Sequence, residues 1–223
     1  GWITITENDM VVFRVRIGYD AQIGAFSLIG DRAQIGAFSL IGDFSQIGDR
    51  AQIGAFSQIG DRTLIGDRTK IGDRAKIGDR TLIGDRTKIG NRTLIGDFSL
   101  IGDDTQIGDR TKIGNRTKIG DFSLIGDDAL IGYDAQIGDF SQIGDNTKCK
   151  TNPVQIQGSR HLITHHSPGH LAIGCMVEPI PEWLADYKII GEAEGYTGEQ
   201  IEEYGNHIRY MAEVDKWFKW ETE

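Results

Sequence analysis

The apolar positions of this chain follow a period of six over more than half of its length. The pair Ile-Gly recurs every six residues from Ile17-Gly18 to Ile143-Gly144, in 22 copies without an insertion. From Ala21 to Ser141 the residue two places before each of these isoleucines is Ala, Ser or Thr, and Val15 holds that place before Ile17. The residue between them is Gln, Leu or Lys, Arg16 excepted, and after each Gly comes a turn-forming residue, most often Asp, then Arg, Phe, Asp or Asn. An even period keeps strand alternation in phase, so the small residue and the Ile share one side in every copy. A helix turning about 100° per residue would scatter those isoleucines over three faces, and each interior Gly would cost it about 1 kcal/mol. The pattern therefore predicts an all-β coil of three short strands joined by Gly-Asp corners. Ile points to the axis, the small residue fills the space near each corner, and each residue lies above the one 18 positions earlier. The copies make about seven coils, a prism about 35 Å long at roughly 4.8 Å per strand.

Outside residues 17–148 the pattern changes. Residues 2–16, WITITENDMVVFRVR, hold two β-rich runs separated by Glu7-Asn8-Asp9. They predict an N-terminal β cap over residues 1–16, because the open end of a solenoid is a template for further strand pairing. The register fails where Cys149-Lys150 replaces Ile-Gly, and Pro153 follows. Over 149–178, VQIQ, HLITHH and HLAIGCMV read as two or three strands, a β-hairpin cap, broken by Gly158-Ser159 and Ser167-Pro168-Gly169. Residues 179–223 read as a helical hairpin that packs on the solenoid end or on a neighbouring subunit. Pro181 suits a first turn, Trp183, Leu184, Tyr187 and Ile190 make one apolar face, and Gly191 or Gly195 ends the helix. Thr197 with Gln200 forms a capping box, after which Ile201, Tyr204, Ile208 and Met211 keep helical spacing.

The repeats, read as A-Q-I-G-A-F, S-L-I-G-D-R and T-K-I-G-N-R, resemble those of the hexapeptide-repeat superfamily, which folds as a left-handed parallel β-helix. The resemblance covers about 60 % of the chain. The left hand is implied by that resemblance alone, since the general rule for parallel crossovers favours the right. The segment HLAIGCMVEPIPEWLADY looks like the C-terminal caps of uncharacterised bacterial and phage-encoded hexapeptide-repeat proteins. Relatives of the fold commonly form trimers through their sides, so the resemblance implies a homo-oligomer, with a trimer favoured.

Composition narrows the partners. The net charge is −9, divided as −3 over residues 17–148 and −6 over 149–223. Neither part is a basic footprint, so nucleic acid is not an expected partner. Two cysteines cannot make a disulfide scaffold. No stretch approaches the roughly 18 to 20 apolar residues of a membrane span, so no membrane partner is expected. The segment GWITITENDM lacks a secretory signal's basic and apolar regions, and a cytoplasmic or virion-associated location is expected. Of the 30 glycines, 22 fall in the repeats, so the count reports solenoid corners rather than flexible loops.

Many relatives of this fold transfer acyl groups from acetyl-CoA or acyl carriers, and others resemble γ-class carbonic anhydrases. Both chemistries need histidine, as a general base or as a metal ligand. All five, His161, His165, His166, His170 and His207, lie beyond the last repeat. No catalytic residue, metal or cofactor is therefore expected within the repeats. The remaining chemical candidate is the cluster His161, His165, His166 and His170 with Cys175 and Cys149. On a strand His161 and His165 share a face but stand about 13 Å apart, too far for one metal, whereas His166 and His170 flank a turn and can approach. No CxxC or HExxH spacing occurs. His165, His166, His170 and Cys175 are accordingly weak metal candidates, set against a plain reading as polar hairpin residues with one buried thiol.

Four surface features bear on function. Asp31, Asp49, Asp67, Asp85, Asp103, Asp121 and Asp139 form one corner column that could hold cations, but Arg32, Arg50, Arg68 and Arg86 stand beside four of them and Asp can bond its own turn backbone. Outward threonine rows would suggest ice binding, yet Thr63, Thr69 and Thr81 occupy the inward site. Sequons at Asn91 and Asn115 arise because Asn replaces Asp in the repeat. Phe26, Leu28, Phe44, Leu64, Leu82, Phe98 and Leu100 line an outward face as an apolar stripe interrupted by Arg62 and Arg80, which predicts self-association there. The reading is a non-enzymatic structural or interaction protein, a rigid capped scaffold or spacer, phage-associated or a consensus-engineered repeat. The alternative is an acyltransferase-like enzyme with its site in the C-terminal cap. An active site needs one coil to differ from its neighbours, and the near-identical copies favour the first.

Overall fold

The computed structural model describes residues 15–149 and 154–217. The expected N-terminal cap lies outside the described residues, apart from Val15 and Arg16. Within them, 23 two-residue strands run from β1 (Arg16–Ile17) to β23 (Lys148–Cys149). Every third strand pairs in parallel, with residue i opposite residue i+18. The result is three sheets of eight, eight and seven strands forming a β-solenoid of about seven coils. The three faces are named here after their first isoleucines, Ile17, Ile23 and Ile29.

The isoleucines from Ile35 to Ile143 are buried in one continuous core, closed at its C-terminal end by Cys149. The small residues do more than fill space. Nearly all the inward serines and threonines are buried, and most of their hydroxyls donate to a glycine carbonyl of the next coil, as from Thr63 to Gly78 at 3.0 Å and from Thr87 to Gly102 at 2.8 Å. These bonds remove the cost of an unsatisfied buried hydroxyl, about 1–3 kcal/mol each.

The corners fall at the expected Gly-Asp positions. The left-handed residue is the second after each repeat Gly, an Arg, Phe, Asp or Asn with φ between 53° and 59° at all 22 such positions, whereas no repeat glycine has positive φ. Side chains in this region cost about 1–2 kcal/mol, offset by an inter-coil bond such as Arg50 N–H to the Asp31 carbonyl, 2.8 Å. Glycine is required for space instead. A Cβ on Gly48 would lie 2.6 Å from both the backbone nitrogen and Oδ1 of Asp67. That Oδ1 accepts the backbone N–H of Asp49 at 2.8 Å. The carboxylate of one coil thus reaches through the gap left by the glycine below it to hold the next corner. Asn91 and Asn115 do the same, accepting from Asp73 and Asp97 at 2.8 and 3.0 Å.

Beyond the repeats, β24 (Gln155–Gln157), β25 (Leu162–Ser167), β26 (His170–Ile173) and β27 (Met176–Pro179) form an antiparallel sheet in that order. HLAIGCMV is two strands, because the chain turns at Gly174, φ 60°. The helices α1 (Ile180–Ala193) and α2 (Gly198–Asp215) pack on this sheet through Ile163, Leu171, Ile173, Trp183, Ile208 and Met211. The capping box of Thr197 and Gln200 forms, and Ile201, Tyr204, Ile208 and Met211 are buried as their spacing predicts. Helix α1 continues through Gly191, where a Cβ would meet Ile201 at 2.8 Å, and the chain turns at Gly195 with φ 70°.

Each face of the last coil is closed differently. On the Ile17 face Gly144 N–H donates to the His166 carbonyl at 3.0 Å, and Gln142 Nε2 to the Gly174 carbonyl at 3.0 Å. On the Ile29 face Gly138 N–H donates to Gln155 Oε1 at 3.1 Å. On the Ile23 face β23 adds one more strand.

Two substitutions test the corner. Gly48→Ala is expected to destabilise the protein by about 1–3 kcal/mol through overpacking, whereas Gly198→Ala, with open space around it, is expected to be neutral or stabilising by about 0.5–1 kcal/mol. Thermal melts compare them. Asp67→Ala is expected to lower the melting temperature while Asp67→Asn largely preserves it, because asparagine makes the same bond at positions 91 and 115; equal losses would contradict this role for Oδ1.

Candidate functional site

The cap contains the residues with chemical potential, and β25 separates them. His165 points into the cap core, fully buried, with Nε2 3.7 Å from Asp215 Oδ1 at the end of α2. Burial lowers its pKa, opposed by Asp215 and by the Met211 backbone. The next residue, His166, lies over Gly144 of the last coil. Burial lowers its pKa too, helped by His170 and opposed by Asp145. His170 bonds the Pro168 carbonyl through Nδ1 at 2.9 Å. Cys175 is exposed at the β26–β27 turn. Successive residues on a strand face opposite sides, so His165 and His166 serve different interfaces. Among the described residues no group of three or more His, Cys, Asp or Glu is placed to hold a metal ion. Cys149 is the buried thiol in the solenoid core, its pKa pushed up to about 12 by burial.

His161 lies just before β25 and lines, with Cys175, a cavity of about 120 Å³ between the sheet and the two helices. Sequence reasoning singled out both residues without the cavity, because it arises where the sheet meets the two helices. Tyr204 is the other residue that sequence reasoning placed only as helix core. Its hydroxyl donates to the His161 carbonyl at 2.9 Å and accepts from the backbone N–H of Arg160 at 3.0 Å and of His161. It ties α2 to the loop before β25.

On the solenoid, residues 18 apart stack as columns. Along the corner beside the Ile29 face, Phe26 stacks on Phe44 with centroids 5.1 Å apart. Arg62 lies over Phe44 at 5.8 Å and Arg80 over Phe98 at 5.2 Å. The arginines that interrupt the stripe in sequence therefore extend it as cation–π partners. Leu64, Leu82 and Leu100 sit in consecutive coils of the Ile29 face, Leu28 stands nearer its start, and all four are exposed. Other columns pair charges. Arg86 meets Asp104 through two bonds of 2.8 and 2.6 Å, which raises the arginine pKa and lowers that of the aspartate. In the aspartate column, Oδ1 of Asp49, Asp67, Asp85, Asp103, Asp121 and Asp139 is engaged by a backbone N–H of the preceding coil. Among the described residues no helix is long and apolar enough to cross a membrane.

Comparison with known proteins gives one family match and several similar solved structures. A family model described as bacterial transferase hexapeptide (six repeats) matches residues 26–61 and 86–121. Both matched stretches lie within the solenoid, whose six-residue repeat that description fits. No curated protein matches the chain. Among solved structures, a hexapeptide transferase family protein from Anaplasma phagocytophilum is similar at 15 % identity and a TM-score of 0.47, covering 92 % of this chain and 98 % of that one. A putative acetyltransferase from Bacillus cereus has 15 % identity and a TM-score of 0.42 over 91 % and 95 %. GDP-perosamine N-acetyl transferase from Caulobacter crescentus has 12 % identity and a TM-score of 0.37 over 58 % of this chain, which spans 52 % of that protein's length.

The lowered pKa of His165 predicts a pH dependence. The unfolded chain binds the proton more readily than the folded one, so stability is full above about pH 6.5 and falls as the pH drops below it. Melting temperatures between pH 7.5 and 5 are expected to decline, and His165→Leu to flatten the slope; an unchanged slope would contradict a buried neutral imidazole.

Proposed function

We propose that this hexapeptide-repeat solenoid is a non-enzymatic structural protein, a rigid scaffold or spacer that associates with copies of itself through its Ile29 face as a trimer. The observation that supports it most is uniformity. From β1 to β23 the pairing of i with i+18 holds without a bulge or an inserted loop, and the same corner bonds recur from coil to coil. A solenoid of this regularity is stiff because every coil is bonded to both neighbours along three faces. Its Ile29 face supplies a place to associate. Phe26, Phe44 and Phe98 are at least half exposed on the edge of that face, and Leu28, Leu64, Leu82 and Leu100 are exposed on it. Burying such a patch is favourable by about 25 cal/mol per Å².

A second reading follows from the matched family, whose description is that of a transferase: acyl transfer at a site in the cap around His165, His166, His170 and Cys175. Its strongest point is His166, which sits between the cap and the last coil beside Asp145.

Two measurements separate these readings. Light scattering at micromolar concentration is expected to give three chain masses for the wild type and one for Leu64→Lys/Leu82→Lys/Leu100→Lys, and a monomeric wild type would sink the association. Acetyl-CoA is expected to leave the melting temperature unchanged; a saturable rise abolished by His166→Ala would replace the scaffold with the transferase.

A further inference from the structure

The cavity in the cap exists because two of the positions that border it have no side chain. Gly174, at the β26–β27 turn, and Gly191, in α1, both line it. At Gly174 the chain takes a left-handed turn, φ 60°, and the His161 ring comes so near that an added Cβ would lie 3.2 Å from it. At Gly191 the two helices approach until a Cβ would touch Ile201. A sheet and a helix pair drawn together at these two points enclose a space of about 120 Å³ between them, walled by Ile173, Trp183, Tyr187, Ile190, Tyr196 and Tyr204.

The walls offer ring surfaces more than polar groups. Trp183 Nε1–H donates to the Leu171 carbonyl at 3.0 Å. The Tyr187 hydroxyl accepts from Arg209 at 3.2 Å. The Tyr204 hydroxyl is occupied by the backbone at Arg160 and His161. Three of the four aromatic side chains thus have their polar ends bonded away. The polar groups left to meet a ligand are the Tyr196 hydroxyl and, at the rim, the exposed His161, Cys175 and Glu194.

We infer that this cavity binds one small neutral aromatic molecule, a single ring of the size of phenol, with its polar substituent at His161. Size selects the ring. Apolar cavities of about 150 Å³ take up benzene, whereas nucleotides and coenzymes need several hundred Å³. Charge selects the neutral form, since the aromatic walls offer an anion nothing in return for its hydration, and at the rim the Glu194 carboxylate is opposed by the Arg160 guanidinium, which lies over the Tyr196 ring at 4.3 Å and donates to the Glu194 carbonyl at 3.2 Å. The imidazole of His161 can donate to or accept from a hydroxyl, whichever tautomer it holds. This site is independent of the solenoid's association.

Phenol is the probe, and the wild-type chain supplies two reporters. The Met176 methyl, which lines the cavity, is expected to shift saturably in carbon–proton correlation spectra. Alkylation of Cys175 by iodoacetamide is expected to slow by about tenfold when phenol is about ten times its dissociation constant, as mass action requires. Ile190→Phe and Met176→Phe each fill the cavity, so either variant is expected to abolish the protection of Cys175. A Met176 methyl that does not move at any phenol concentration short of denaturation would overturn the proposal, as would protection that persists in a folded, filled variant. Benzoate protecting as well as phenol would overturn the choice of a neutral ligand. The wild-type titration decides the matter even if neither variant folds.

Discussion

Coil can stack on coil in this protein only because the residue before each corner has no side chain. Within that clearance two things happen together: the backbones of adjacent coils approach, and an aspartate or asparagine oxygen from the upper coil bonds the corner N–H of the lower one. The strands are two residues long, too short to be stable alone. The corners must therefore carry their share of the inter-coil bonding. They do so with the side-chain oxygen outside, the Ser or Thr hydroxyl inside, and a backbone bond from the left-handed residue between them. The strain of 22 residues at positive φ is borne because each belongs to this set of bonds.

The same stacking governs the surface. When residues 18 apart are neighbours, any outward choice is repeated against itself, and the columns show how that is tolerated. Phe38 stacks on Phe56 and Phe122 on Phe140, at 5.0 and 5.1 Å. Arg110 sits on Asp128 with a 2.6 Å bond. Because these pairs are exposed, they add little stability individually, but they determine what each edge presents. One edge of the Ile29 face becomes aromatic and cationic beside a leucine column, which is the surface that the proposed association uses.

How far the sequence could be read depends on the kind of interaction. The six-residue period revealed the solenoid, its three faces and its inward residues, since alternation and period are properties of the chain itself. It could not reveal why Gly48 must be glycine. The expectation of a Gly-Asp corner located the residue but not its physical reason, because the obstacle is Asp67 in the next coil, 19 residues away. In the cap, local signals such as the Thr197 capping box and the spacing of Ile201, Tyr204, Ile208 and Met211 were legible. The separation of His165 from His166 across β25, the turn at Gly174 and the cavity beside His161 were not, as they depend on how sheet and helices meet. The candidate site was therefore legible as a list of residues but not as an arrangement.

The inter-coil bond made through the glycine gap is measured residue by residue by amide hydrogen exchange. The corner amides of Asp49, Asp67 and Asp85 lie at the surface and would exchange rapidly if they faced only water. The prediction is that they are protected like the strand amides, and that Asp85→Ala removes protection from Asp67 while leaving that of Asp49 in place. Rapid exchange at all three in the wild type, or a loss spread evenly over the solenoid, would contradict it.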